Sequence, residues 1–184
     1  MDQIITLDET SKNQSWLHRT TGWGSSGTYL MAHEARLERG DRLSALCCFT
    51  VRGFEDWRFV TGTFKAQQFN YAASEMLTRA LLAQFPCVMI DNASIHHNEE
   101  FVEMVESRGG QVWFIPPYCH LLSTLDNGAF GLVCRELVKE RGHVTMYEAL
   151  EKAFCSITEA SARHCHYNCG WGDRQESCPY EQLL

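Results

Sequence analysis

Val88-Met89-Ile90-Asp91-Asn92-Ala93-Ser94-Ile95-His96 is the stretch on which the fold turns. Three apolar residues run into an acid, and a short polar segment then leads to a histidine. An apolar run that stops at Asp-Asn reads as a buried strand whose carboxylate emerges at the C-terminal edge of a sheet. Open α/β sheets carry their chemistry along that edge. Upstream, Ile4-Ile5-Thr6-Leu7 is a similar apolar strand, and it ends on Asp8. Downstream, Asp126 follows Asp91 with 34 residues between them, just past Pro116-Pro117-Tyr118. Two strand-end acids and a third beyond them suggest a carboxylate cluster for metal ions.

The surrounding pattern gives those strands an order. After the first strand at 3–8 comes a polar connection over 9–40, rich in Gly, Ser and Thr, which reads equally as a β-ribbon or a mobile loop. It includes Lys12, Arg19, Arg36 and Arg39. Residues 42–51 and 56–62 read as two strands joined by a turn at Arg52-Gly53. Phe69, Ala72, Ala73, Met76, Leu77 and Ala80 give helical spacing to 66–84, and Pro86 precedes the strand at 87–91. Residues 98–108 open with Asn98-Glu99-Glu100 as cap and first-turn acids, and Gly109-Gly110 ends that helix. A fifth strand at 111–115 stops at the double proline. Residues 126–140, 145–155 and 158–167 read as helices, with Thr145 and Thr158 as N-caps. The element order β-β-β-α-β-α-β-α, with extra C-terminal helices, predicts an α/β protein of ribonuclease H-like fold with a mixed five-stranded sheet. In that order the first and fourth strands lie side by side and parallel, so Asp8 and Asp91 become neighbours.

The 184 residues suit one domain, so 1–184 is expected to form a single unit. Hydrophobic residues make up 45% of the chain and charged ones 21%, an ordinary globular balance. No apolar run approaches the ~20 residues that cross a bilayer, and Met1-Asp2-Gln3 does not open a secretory signal. Nine scattered cysteines then read as reduced thiols of the cytosol or nucleus. A net charge of −7 predicts weak DNA binding by this chain alone, since phosphate contacts rest on Lys and Arg. Bound cations would offset part of that charge.

Three blocks carry a family resemblance: Leu7-Asp8-Glu9-Thr10-Ser11, Asp91-Asn92-Ala93-Ser94-Ile95-His96 and Pro116-Pro117-Tyr118. Together they resemble the catalytic blocks of the Tc/mariner DDE/D transposases, in particular the transposon-derived members of fungal genomes. The resemblance runs from about residue 3 to 171 and takes in Asn168-Cys169-Gly170-Trp171 at the tail. It implies a nuclear enzyme that cuts DNA at transposon ends and joins the freed 3′-hydroxyl to target DNA. It implies two Mg²⁺ (or Mn²⁺) ions held by Asp8, Asp91 and Asp126, with Asp8 bridging. A homodimer is compatible with it.

The family pattern Pro-Pro-Tyr-Ser-Pro-Asp-x-Asn-Pro-Ile-Glu is here Pro-Pro-Tyr-Cys-His-Leu-Leu-Ser-Thr-Leu-Asp, over 116–126. Two prolines are missing, and proline rigidifies a loop by fixing φ. Gly128 and Gly131 weaken the helix that follows. The placement of Asp126 is therefore the open question, and Asp before Asn-Gly also reads as a turn. The family's helix-turn-helix DNA-binding domains find no room before a first strand that begins so early. A degenerate or domesticated remnant that keeps the fold as a binding module is the competing expectation, and a resolvase of the same fold is a third.

Other residues have plainer readings. His96 and His97 read as structural or exposed, against contact with metal or DNA. Glu9 reads as a solvated acid beside the site. Trp16, Arg19 and Trp23 read as a DNA clamp or as a packed ribbon. His164, Cys165, His166, Cys169 and Cys178 are zinc-favoured types, but their spacing fits no strong zinc pattern, and Cys165 and Cys169 share a helix face for packing.

Overall fold

A computed structural model describes residues 2–17, 23, 25–27, 41–139 and 145–172. Five strands form one mixed sheet: β1 (Ile4–Lys12), β2 (Leu43–Thr50), β3 (Gly53–Thr61), β4 (Cys87–Ile90) and β5 (Gln111–Phe114). Their order is β3-β2-β1-β4-β5. β1, β2 and β3 pair antiparallel, whereas β1–β4 and β4–β5 are parallel. This is the ribonuclease H-like arrangement expected from the element order.

The first strand is longer than its apolar run. The antiparallel partner β2 follows it out to the pair Lys12↔Leu43, so the polar residues Asp8 to Lys12 stay in the ladder. Asp8 therefore sits within β1, one step beyond its last parallel pair, Leu7↔Ile90. The same step on β4 is Asp91. A 3₁₀ turn over Gln14–Leu17 follows, and most of the 9–40 connection, with Arg19, Arg36 and Arg39, lies outside the described residues.

Alternation along the strands divides two cores. Ile5, Leu7, Leu46, Cys48, Val88 and Ile90 face one layer, with Phe69 from α1 (Ala66–Met76) and Phe101 and Val105 from α3 (Glu99–Ser107). Ala45, Cys47 and Phe49 face the other, with Val133 and Leu137 from α4 (Phe130–Lys139), Phe154 from α5 (Met146–Ser156) and Ala162 from α6 (Glu159–Asn168). Burying each large side chain contributes roughly 1.5–3 kcal/mol.

The helix expected over 66–84 is two. It breaks at Leu77-Thr78, where the Thr78 side chain caps α2 (Arg79–Gln84) by accepting from the Leu81 amide. The Arg108 guanidinium donates to the Ser74 and Leu77 carbonyls, satisfying the end of α1. Asn98 caps α3 by accepting from the Phe101 amide at 2.8 Å. Thr145 and Thr158 cap α5 and α6 as expected. The helix expected from 126 opens instead as a π turn over Leu125–Ala129, with five-residue bonds from the Ala129 amide to the Thr124 carbonyl and from the Phe130 amide to the Leu125 carbonyl.

Candidate active site at the sheet edge

Asp8 projects from β1 on the same face as the C-terminal helices and is 8% exposed. Asp91 leaves the end of β4, half-buried, and its Oδ1 accepts the Ala93 amide at 3.0 Å. Asp126 sits on the π turn at the solvent-facing rim, in hydrogen-bonding reach of the Asp8 carboxyl. The altered loop over 119–125 therefore does not turn Asp126 away. Asp91 and Asp126 both line a cleft of about 390 Å³ together with Asn92, Pro117, Tyr118 and His120.

The electrostatics record this crowding. Burial raises the Asp8 pKa well above the usual carboxylate range, and the Asp126 charge adds to it, with smaller rises from Glu9 and Asp91. The Glu9 amide, donating to Asp8 Oδ1 at 2.7 Å, works the other way. Asp126 is raised by burial and by Asp91, while its bond with Asp8 and the nearby His120 lower it. Two carboxyls this close cannot both ionise cheaply. A cation bound beside them would relieve that repulsion.

Asp91 is held differently. His96 Nδ1 lies 2.5 Å from its Oδ1, and His96 Nε2 lies 3.2 Å from both carboxylate oxygens of Glu9. The ring is 1% exposed and packs on Phe69, with centroids 4.6 Å apart. Burial pulls its pKa down, but the bonds to Asp91 and Glu9 outweigh that and raise it to about 9. With a carboxylate at each nitrogen, the ring donates on both sides as an imidazolium. The His96 bond is in turn the main cause of a lowered Asp91 pKa.

Glu9 is accordingly not a solvated acid: its side chain is 20% exposed and bound to His96. His96 is structural and reaches a site acid at the same time. Sequence reasoning missed this link because Glu9 and His96 are far apart in the chain; the signal was that each follows an acid that ends an apolar run, Glu9 directly and His96 five residues on. His97 is exposed, stacks on Phe114 and bonds Asn92.

The carboxylate oxygens are hard donors, which suits a divalent ion, and the crowded Asp8–Asp126 pair, each raised by burial and by neighbouring carboxylates, is where positive charge is favoured. Among the described residues, no group of three or more His, Cys, Asp and Glu side chains closes around one point. Asp8 and Asp126 form the close pair, and Asp91, turned to His96, stands beside it. Such a pair would suit an ion that keeps several of its waters, as Mg²⁺ does.

The tail residues pack. His166 is fully buried against Phe49, Cys165 and Cys169 are buried, and His164 bonds Asn168. Cys178 lies outside the described residues. Trp16 is 44% exposed beneath the Lys12 ammonium, and Trp23 is 95% exposed.

A family model described as "DDE superfamily endonuclease" matches residues 3–148. The chain belongs to the DDE superfamily endonucleases. No curated protein sequence matches it. Among solved structures, the pre-cleavage Mos1 transpososome superposes with a TM-score of 0.73 at 15% identity, covering 92% of this chain and 54% of that one. The Mos1 mariner paired end complex with Mn gives 0.73 at 16% identity, over 92% and 54%. The catalytic domain of Mos1 mariner transposase gives 0.64 at 15% identity, over 92% and 78%. At these identities the likeness is one of fold. This DDE endonuclease domain spans about half the length of the transposase chains in the Mos1 complexes. Among its described residues, no helix is long and apolar enough to cross a membrane.

Proposed function

We propose that this chain is the catalytic domain of a Tc/mariner-type transposase. In this reading it cleaves phosphodiesters at transposon ends and joins the freed 3′-hydroxyl to target DNA, working in the nucleus and as a homodimer. The observation that carries this reading is the close Asp8–Asp126 pair with Asp91 beside it on the neighbouring strand, in a chain of the DDE endonuclease family. The Mos1 complexes with Mn and with Mg fit a divalent cofactor. Two such ions, when bound, would activate an attacking oxygen and stabilise the leaving one.

The residues' own tasks follow from their places. Asp8, the most buried of the three acids, would be the ligand common to both ions. Asp126 would help to hold one ion and Asp91 the other. Protons would compete with a bound ion at Asp8 and Asp126, whose pKa values are both raised. His96 holds Asp91 at its Oδ1, and the cleft between Asn92 and His120 admits the DNA backbone. With a net charge of −7, the chain holds DNA weakly by itself.

Nicking of a supercoiled plasmid in Mn²⁺ tests this. Wild type should nick and Asp91→Ala should not; equal backgrounds would sink the catalytic reading. The competing reading, a remnant that only binds, draws on the negative charge and on the bond that occupies Asp91. Calorimetric titration with Mn²⁺ separates them: binding that disappears in Asp8→Ala counts against the remnant.

A further inference from the structure

The loop that delivers Asp126 has lost its prolines, yet it holds its place. Three consecutive carbonyls account for this. The Leu121 carbonyl accepts from the Asn127 side-chain Nδ2 at 3.2 Å, the Leu122 carbonyl from the Trp171 indole N–H at 2.9 Å, and the Ser123 carbonyl from the Cys169 thiol at 3.4 Å. Cys169 Sγ also accepts from the Asn127 side chain at 3.6 Å, so one buried thiol straddles the segment on both sides of Asp126. Two of these three side chains come from the end of α6, more than 40 residues away in sequence.

The end of α6 is built to present them. Cys169 is its C-cap, and Gly170 follows with φ of 82°. The Gly170 amide bonds the Tyr167 carbonyl at 2.9 Å and the Trp171 amide bonds the His166 carbonyl at 3.0 Å. This is a Schellman turn, which needs the left-handed conformation that glycine adopts freely. It folds Trp171 back over the loop. On the other side α6 meets the π turn closely: a Cβ on Gly128 would lie 2.7 Å from Cys165 Sγ.

We infer that Cys169, Gly170 and Trp171 form a clasp that positions Asp126 for metal binding. They are positioning residues, since none contacts the cleft, and the inference rests on the metal-site reading above. The clasp makes the C-terminal helix a working part of the active centre. Side-chain donors supply the rigidity that prolines would otherwise supply by fixing φ.

The test is amide hydrogen exchange together with Mn²⁺ titration on the full chain, in wild type, Trp171→Phe, Cys169→Ala and Asp126→Asn. Trp171→Phe keeps an aromatic side chain at the half-buried position while removing the indole donor, so the fold should survive. The expected result is faster exchange at 121–129 with no change in β1 or β4, and a Mn²⁺ midpoint raised about 10-fold, the usual effect of losing an outer contact to a metal ligand. Unchanged exchange at 121–129 in both clasp variants would overturn the clasp. Faster exchange with an unmoved midpoint, while Asp126→Asn moves it, would overturn the positioning role. If Asp126→Asn leaves the midpoint alone, the metal reading falls instead, and exchange alone then decides whether the clasp exists.

Discussion

The site's acids are delivered in two ways. Asp8 and Asp91 are set by a parallel backbone ladder, Ile4↔Cys87 through Leu7↔Ile90, which fixes their separation through regular hydrogen bonds. Asp126 is set by side chains: a π turn, a buried hydroxyl pair and the end of a distant helix. A ladder tolerates almost any apolar sequence, whereas the second arrangement depends on individual donors. The first region should therefore respond mainly at the acids and their direct partners, and the second at many positions around its acid.

Removing an acid has the largest effect on function. Asp8→Asn should cut plasmid nicking to background, a loss of about 10³-fold or more. The same change should raise the melting temperature of the metal-free protein, because it removes a buried carboxyl whose pKa is raised. Such a group contributes its stability at low pH and loses it as pH rises through the folded-state pKa. A lower melting temperature in Asp8→Asn would show that Asp8 is not strained by its neighbours.

The link between the two regions is testable next. The Thr124 hydroxyl donates to the Thr6 hydroxyl at 2.7 Å, and both residues are buried. Thr124→Val leaves one hydroxyl without its partner and should cost about 1–3 kcal/mol in denaturant unfolding. The double change Thr6→Val/Thr124→Val should cost less than the sum of the singles. Strict additivity would mean that the ladder and the π turn are not coupled there.

His96 supplies a pH signature on the ladder side. Its folded pKa of about 9 lies above the ordinary 6.5. Its contribution is therefore complete below about pH 6.5 and is lost as pH rises through about 9. The metal-free melting temperature should fall across that window, and His96→Asn should flatten the fall. An unaltered slope in that variant would place the titration elsewhere.

The smallest effects are two glycine changes of opposite sign in the Asp126 region. Gly131 is exposed in α4 with nothing near its absent Cβ, so Gly131→Ala should stabilise by roughly 0.5–1 kcal/mol. Gly128→Ala drives a methyl into Cys165 and should destabilise by about 1–3 kcal/mol. Two changes of the same sign would show that the close approach of α6 to the turn is not tight.

The same contrast explains what could be read from the sequence. Apolar runs ending in acids gave away β1, β4 and the adjacency of Asp8 and Asp91, because a ladder leaves a periodic trace. The antiparallel ladder also hid something: β1 continues through polar residues to Lys12, since its partner rather than its own hydrophobicity defines its length. Gly128 suggested only a weak helix, because a close approach depends on a residue from another helix. The pairing of Glu9 with His96 left only the hint that each follows a strand-end acid, and that of Trp171 with Leu122 has no local signature, as each joins residues far apart in the chain.

The π turn has a consequence for how the chain tolerates changes in length. Each residue of a helix turns the next by about 100°. Leu125–Ala129 absorbs one residue more than an α-turn would, while Asp126 meets Asp8 and Val133 and Leu137 still reach the core. A single-residue deletion there would rotate the acid or the apolar stripe out of place, as a skipped tooth misaligns a gear. The distance in sequence between the second and third acids thus acts as a mechanical dimension of the active centre.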